Sequence, residues 1–165
     1  MSGEILKKQK IYLDTSAISH LDASDTPEKM TDTLVFWEML KENGYQVIIS
    51  NITVAEITKC TEPKRSFLFE KLNEIDYEII EENEETLSLA EKYLEYGVLK
   101  SKSMDDLRHI SVATVTECKY IVSWNFKHFV NVKTINKVQS VNKLLEYNEI
   151  MIIPPTMLMG GEEDE

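Results

Sequence analysis

The sequence contains few of the residues that mark disulfide-bonded, membrane or nucleotide-binding proteins. Its 165 residues include only two cysteines, Cys60 and Cys118, which belong to no C-x-x-C pair. No apolar run approaches the roughly 20 residues that a membrane-spanning helix needs. We therefore expect two reduced core thiols, rather than a disulfide or a metal-thiolate centre, and no membrane segment.

Glycine and basic residues are also scarce. The five glycines form neither G-x-G-x-x-G nor G-x-x-x-x-G-K, so a Rossmann-like cofactor domain is not expected. Lys and Arg total 18 against 29 Asp and Glu, which gives a formal net charge of −11. This balance argues against a large non-specific nucleic-acid footprint. A nucleic-acid function would need a local basic patch, a cation-neutralised site or a basic partner protein.

The length and composition predict one globular domain. Apolar residues make up 42% of the chain, enough to bury a core. The first ten residues are polar with three lysines and lack the apolar core of a secretory signal, so we expect a cytoplasmic protein. The chain ends in four acids. We therefore predict a domain over residues 1–155 and an acidic, flexible tail over 156–165.

Short β-branched runs alternate with amphipathic segments along the chain. Strands are predicted at 10–13, 46–50, 77–80, 120–123 and 150–153. Helices are predicted at 31–42, 51–59, 63–73, 84–96, 104–116 and 138–146. This alternation predicts a three-layer α/β/α sandwich with a central parallel sheet. Ligand sites in such sheets form beyond the carboxyl ends of the strands.

Two acidic residues are candidates for that end of the sheet. Asp14 directly follows the first predicted strand, although an Asp before Thr and Ser is also typical of a helix N-cap. Glu56 lies among apolar residues in the segment Val54–Ile57, after the second predicted strand. A carboxylate in such a segment either faces solvent on an exposed helix face or needs a partner or a cation.

Asp106 and Asn125 complete the candidate set. Asp106 has the spacing of a capping box with Ser103, at a helix N-terminus that favours its ionised form. Asn125 follows the fourth predicted strand, where it can cap a turn or offer one oxygen to a cation. Carboxylates gathered at one rim repel one another unless a cation neutralises them, and a set of oxygen ligands favours Mg²⁺ or Mn²⁺.

Four segments, namely Ile11–Ser16, Val54–Ile57, Asp106–Ala113 and Ser123–Phe129, follow one another in an order and spacing that extend over residues 10–153. Together they resemble the PIN-domain family, especially its VapC-type toxins. The resemblance implies an α/β/α fold and a metal-dependent endoribonuclease whose products carry a 5′-phosphate and a 3′-hydroxyl. It also implies a homodimer that is often inhibited by a small antitoxin protein.

By the same resemblance, the acidic site consists of Asp14, Glu56 and Asp106. Asn125 occupies a position where many members have a fourth aspartate, so this site carries one negative charge fewer. We expect Asp14 and Asp106 to bind the cation directly and Asn125 to position a water. Glu56 either binds the cation through water or orients the nucleophile. Thr15, Ser16 and Lys127 are candidate substrate contacts, with Thr15 and Ser16 alternatively holding Asp14 in place.

Several alternatives stay open at this stage. The domain could lack activity, because of the missing acid, and act as an RNA- or protein-binding module. His109 is expected to be a packing residue, with substrate contact as the alternative. His128 either lies in an exposed loop or meets a phosphate, and Trp124 either packs at the rim of the core or stacks on a base.

Overall fold

The structure is a computed structural model that describes residues 8–159. Five strands lie in this range: β1 Gln9–Leu13, β2 Tyr45–Ser50, β3 Tyr77–Ile80, β4 Tyr120–Val122 and β5 Met151–Ile153. Eight α-helices accompany them: α1 Thr15–Ser19, α2 Pro27–Lys41, α3 Asn51–Thr58, α4 Lys64–Leu72, α5 Glu84–Glu95, α6 Met104–Val115, α7 Val132–Leu144 and α8 Pro155–Met159. None of the helices within residues 8–159 is long and apolar enough to cross a bilayer.

The five strands form one parallel sheet in the order β3-β2-β1-β4-β5. The chain builds outward from the central β1 through β2 and β3. It then crosses back to add β4 and β5 on the other side of β1. The direction of winding therefore reverses between β1 and β4, and a crevice for ligands is expected there. The predicted parallel sheet is confirmed.

Both faces of the sheet are buried, as expected for β-branched strands in a parallel sheet. Tyr12, Ile48 and Ile121 point to one face, where they pack with α5, α6 and α7. Side chains at alternate positions, such as Ile11 and Val122, pack on the other face with α2 and α4. Each fully buried large apolar side chain contributes about 1.5–3 kcal/mol. The predicted three-layer α/β/α arrangement is thus confirmed.

Side-chain caps fix where several helices begin. Ser50 ends β2 and its Oγ accepts hydrogen bonds from the backbone N–H groups of Ile52 and Thr53, so α3 starts at once. Asn83 and Thr86 form a capping box at the start of α5. Asn131 caps α7 by accepting from the N–H group of the third residue of that helix. These caps turn the chain sharply at the carboxyl rim of the sheet.

The largest differences from the predicted boundaries concern α2, α7 and α8. Helix α2 begins at Pro27 rather than at residue 31, because proline is well suited to the first helical position. Helix α7 begins at Val132 rather than at 138. Helix α8 packs against α2, so the tail that was predicted to be flexible from residue 156 is helical as far as Met159. The rest of that predicted tail, residues 160–165, lies outside the described range.

Candidate functional site

The candidate site lies at the carboxyl rim of the sheet, where the winding reverses between β1 and β4. Asp14 immediately follows β1, and Ser123 immediately follows β4. The Ser123 hydroxyl donates a 2.7 Å hydrogen bond to Asp14 Oδ2 across this switch point. The two strand ends are therefore joined at the position where open α/β sheets bind their ligands.

Asp14 is buried and serves as the N-cap of α1. Its Oδ1 accepts hydrogen bonds from the Ser16 hydroxyl, at 2.7 Å, and from the Ala17 N–H group, at 3.0 Å. Burial raises the pKa of Asp14 and outweighs the opposing effects of nearby His109 and of the hydrogen bonds. Asp14 forms no ion pair within residues 8–159. A cation placed beside it would therefore favour the ionised form.

Glu56 lies at the end of a hydrogen-bonded chain that begins beneath the rim. Ser50 Oγ is 2.7 Å from the Tyr12 hydroxyl, which is 2.6 Å from His109 Nδ1. His109 Nε2 is 3.0 Å from Glu56 Oε1, and the Thr15 hydroxyl donates to the same oxygen. The hydrogen-bonded network thus ends at Thr15, the residue that follows Asp14 in sequence.

The protonation of this chain follows from its environment. Burial raises the pKa of Tyr12 well above the ordinary value, so the phenol stays protonated, within hydrogen-bond distance of both Ser50 Oγ and His109 Nδ1. An ionised Glu56 can only accept, so His109 donates to it from Nε2. Burial alone would raise the pKa of Glu56, but the interaction with His109 and the bond from Thr15 together lower it. Glu56 is therefore held as a carboxylate in a fixed orientation.

Asp106 is linked to Asp14 by a second path. Asp106 Oδ2 lies 2.8 Å from His128 Nδ1, and the His128 backbone N–H donates to Asn125 Oδ1 at 2.9 Å. The Asn125 N–H in turn donates to the Ser123 hydroxyl, which bonds to Asp14. Asn125 therefore acts as a turn cap that orients His128.

The four residues singled out in the sequence thus lie along two hydrogen-bonded paths. One path ends at Glu56 and Thr15 and the other at Asp14, which precedes Thr15 in sequence. However, among residues 8–159 no three His, Cys, Asp or Glu side chains are grouped closely enough to form a metal cage. Mg²⁺ usually binds one or two carboxylates and keeps several waters, so it does not need such a cage. The hydrogen bonds to Glu56 use Oε1, and the contact with Asp106 uses Oδ2, so these contacts leave the second oxygen of each carboxylate for a cation. Carboxylate oxygens of this kind suit a hydrated Mg²⁺ or Mn²⁺.

The predicted substrate contacts occupy different positions. The hydroxyls of Thr15 and Ser16 are engaged with Glu56 and Asp14, so they hold the carboxylates. Lys127 is exposed and lines a cavity of about 650 Å³ beside His128. Trp124 is buried at the rim, and its indole N–H donates to Thr33 at 2.8 Å.

Tyr12, Ser123 and His128 contribute to this site through contacts that were not predicted. One signal was available for Tyr12, because a tyrosine within a buried strand needs a partner for its hydroxyl. His109 was predicted to be a packing residue. It is indeed buried, yet both of its ring nitrogens are hydrogen-bonded.

The comparison with solved structures shows a related fold. A chain in the crystal structure of VapBC2 from Rickettsia felis bound to a DNA fragment from their promoter is similar to this one, with a TM-score of 0.53 and 18% sequence identity. The match covers 87% of this chain and 97% of that chain. No family model matches the sequence, and no curated protein matches it. At this identity, the likeness shows that the two chains share a fold.

Proposed function

We propose that this chain is a PIN-type, divalent-metal-dependent endoribonuclease that acts as the toxin of a toxin–antitoxin pair. The observation that carries the proposal is the placement of Asp14, Glu56 and Asp106 on hydrogen-bonded paths around the end of the central strand. The similarity in fold to a chain of VapBC2 supports it. The four sequence segments that resemble the PIN-domain family contain these same residues.

Asp14 and Asp106 would hold the Mg²⁺ or Mn²⁺, with Glu56 acting through a coordinated water. Such a cation, when bound, supplies a water of lowered pKa and stabilises the charge that develops on the scissile phosphate. The chain's own residues set the geometry. Ser16 and Ser123 fix Asp14, whereas His109 fixes Glu56.

Asn125 and the surrounding side chains have supporting roles in this proposal. The oxygen of Asn125 is already bonded to the His128 N–H group, so Asn125 would position His128 and a nearby water. Thr15 and Ser16 would hold the carboxylates, as their hydrogen bonds indicate. Lys127, which is exposed on the adjacent cavity, would contact an RNA phosphate.

The proposed partners follow from the same resemblance. A small antitoxin protein would inhibit the nuclease, which would act as a homodimer in the cytoplasm. The structure that contains the similar chain is that of VapBC2 bound to a DNA fragment from their promoter. A net charge of −11 is compatible with a partner whose contacting segment is basic.

Digestion of defined RNAs tests the proposal. Cleavage should require Mn²⁺ or Mg²⁺ and should stop in EDTA. Asp106→Asn should reduce the rate by about 100-fold or more, because it removes a charged metal ligand. Asp105→Asn is the matched control, since this neighbouring acid is exposed and pairs with Arg108 instead. If Asp106→Asn cleaves RNA as fast as Asp105→Asn does, the proposed site is wrong.

A second candidate function is an RNA- or protein-binding module without catalysis. The pairing of Glu56 with His109 and of Asp106 with His128 favours it, because both carboxylates already have basic partners. The same digestion separates the two functions. A pure binding module would retain RNA or a partner protein in EDTA and would cut no RNA with any divalent ion.

A further inference from the structure

A basic cavity of about 650 Å³ lies next to the candidate site. Its walls come from the segment between α5 and α6 and from the segment that leads into α7. His128 lines the cavity and also contacts Asp106 at 2.8 Å, so the cavity and the acidic site share one side chain. Five lysines line it: Lys100, Lys102, Lys127, Lys133 and Lys137.

The charge of this cavity is opposite to that of the protein as a whole. No Asp or Glu lines it, although acids outnumber basic residues by 29 to 18 in the chain. None of its lysines forms an ion pair with any residue between 8 and 159, whereas Lys41, Lys71 and Lys92 all pair with glutamates. Among the described residues, the cavity therefore presents positive charge that no acid neutralises, and such a charge attracts polyanions.

The cavity also has an aromatic wall. Phe126 lines it and is 46% exposed, and its ring lies at an edge-to-face angle to the buried Trp124. The Lys29 Nζ atom lies 5.2 Å from the centroid of the Phe126 ring. An exposed aromatic ring beside a row of lysines is the combination that binds single-stranded nucleic acid, because an unpaired base can stack on the ring.

Its two walls are tied together, which suits a preformed groove. The Lys137 ammonium donates a 3.0 Å hydrogen bond to the Gly97 carbonyl and so joins α7 to the turn after α5. Asn131 donates to the carbonyls of Phe126 and Lys127 and holds the other segment in place. The ammonium groups of the four remaining lysines are left to meet a ligand.

We propose that this cavity binds the sugar–phosphate backbone of single-stranded RNA and leads it to Asp106, with one base stacked on Phe126. The proposal rests on the proposed function for the identity of the ligand. It gives an acidic protein the local basic patch that a ribonuclease needs. An acidic protein segment would also meet the lysines, but it would not need the aromatic wall.

The test measures binding separately from cleavage. The full chain is titrated into a fluorescein-labelled, mixed-sequence single-stranded RNA of 12 nucleotides in EDTA, and anisotropy is recorded at several salt concentrations. One variant replaces the four free lysines by glutamine: Lys100, Lys102, Lys127 and Lys133. In the matched control, glutamine replaces four lysines that lie outside the cavity: Lys64, Lys92, Lys119 and Lys143.

Counterion release gives the size of the expected effect. Each phosphate contact on a single strand makes the slope of log K against log salt more negative by about 0.7. Loss of four contacts in the cavity variant should therefore make the slope shallower by about 2.8. Four such contacts alone correspond to about a 50-fold loss of wild-type affinity between 50 and 200 mM salt. Phe126→Ala should weaken binding by about 5- to 150-fold. The slope for the control variant should differ from the wild-type slope by no more than the contribution of one or two phosphate contacts.

The outcomes separate this inference from the nuclease proposal. If the cavity variant binds RNA as tightly as the control variant does, the proposal that the cavity binds RNA is refuted, even if the protein cleaves RNA. If only the cavity variant and Phe126→Ala lose RNA but no metal supports cleavage, the groove stands and the nuclease proposal falls. If polyglutamate binds to the same lysines and Phe126→Ala has no effect on RNA, the site is one for an acidic protein segment. A Lys127→Gln and Lys133→Gln pair replaces the fourfold variant if circular dichroism shows that the latter is unfolded.

Discussion

Replacing Asp14 by asparagine is predicted to stabilise the metal-free protein while removing its activity. Asp14 is buried, and its pKa is raised by burial despite the hydrogen bonds that it accepts. Asparagine has nearly the same shape and carries no charge, so it would keep most of these contacts without the desolvation cost. The change that weakens the proposed metal site should therefore strengthen the fold.

Two opposing effects decide the magnitude. Hydrogen bonds to an ionised group contribute about 1.5–3 kcal/mol each, against about 0.5–1.5 for neutral ones, so three weakened bonds would cost about 3 kcal/mol. The upward shift in the pKa of Asp14 means that desolvation exceeds these stabilising interactions. We expect a net gain of about 1 kcal/mol, which is typical of a single stabilising substitution and raises Tm by about 2–4 °C at this size.

The gain should depend on pH in a defined direction. An unfolded Asp titrates near 3.8, and in the folded protein the pKa of Asp14 is higher. Between these two values the folded state binds more protons, so wild-type stability falls as the pH rises. The advantage of Asp14→Asn is therefore absent below about pH 3.8, grows above that value and is complete once the pH exceeds the folded pKa.

Urea unfolding of wild type, Asp14→Asn and Asp105→Asn at pH 4 and pH 7 in EDTA measures this effect. Added Mg²⁺ should raise the Tm of wild type and of Asp105→Asn, but not that of Asp14→Asn, because a ligand stabilises only the protein that binds it. A variant that is less stable than wild type at pH 7, or a difference that does not change with pH, would refute the reasoning.

Two further substitutions test polar contacts outside the acidic site. Tyr93→Phe leaves the buried oxygen of Asn142 without the hydroxyl that donates to it, so unfolding in urea should become easier by about 1–3 kcal/mol; a neutral result would contradict the hydrogen bond. Arg108→Met breaks the ion pair with Glu82 and should cost about 1.5–3 kcal/mol at pH 7. Because the hydrogen bond from Arg108 lowers the pKa of Glu82, this difference should shrink as the pH falls from 4.5 through the folded pKa, and a constant difference would argue against the pair.

The sheet could be predicted because its strands are β-branched runs bounded by turn residues. Residues 46–50 were predicted as a strand, and β2 spans Tyr45–Ser50. Helix α1 was missed because five residues are too few to show a helical period, although Asp14 supplied the cap. The first turns of α7 were missed because Val132 is exposed and its neighbours are polar, so that the cap at Asn131 alone marks the start.

The position of the site could be predicted from topology, but the partners of its side chains could not. Asp14 follows β1, and a parallel sheet brings the ends of its strands to one rim. The pairing of Glu56 with His109 joins residues far apart in sequence, and it depends on rotamers and on the distance between α3 and α6. The same holds for Asp106 and His128. Nothing in the spacing of these residues specifies which carboxylate each histidine meets.

The most direct test of the account is an anomalous difference map from crystals soaked in MnCl₂. We predict one strong peak at the carboxyl rim between β1 and β4, with carboxylate oxygens of Asp14 and Asp106 at about 2.1 Å from the ion. A peak elsewhere, such as beside the surface acids Glu84 and Glu85, would contradict it. So would a rim without any peak at saturating Mn²⁺, with Asp106 still paired to His128.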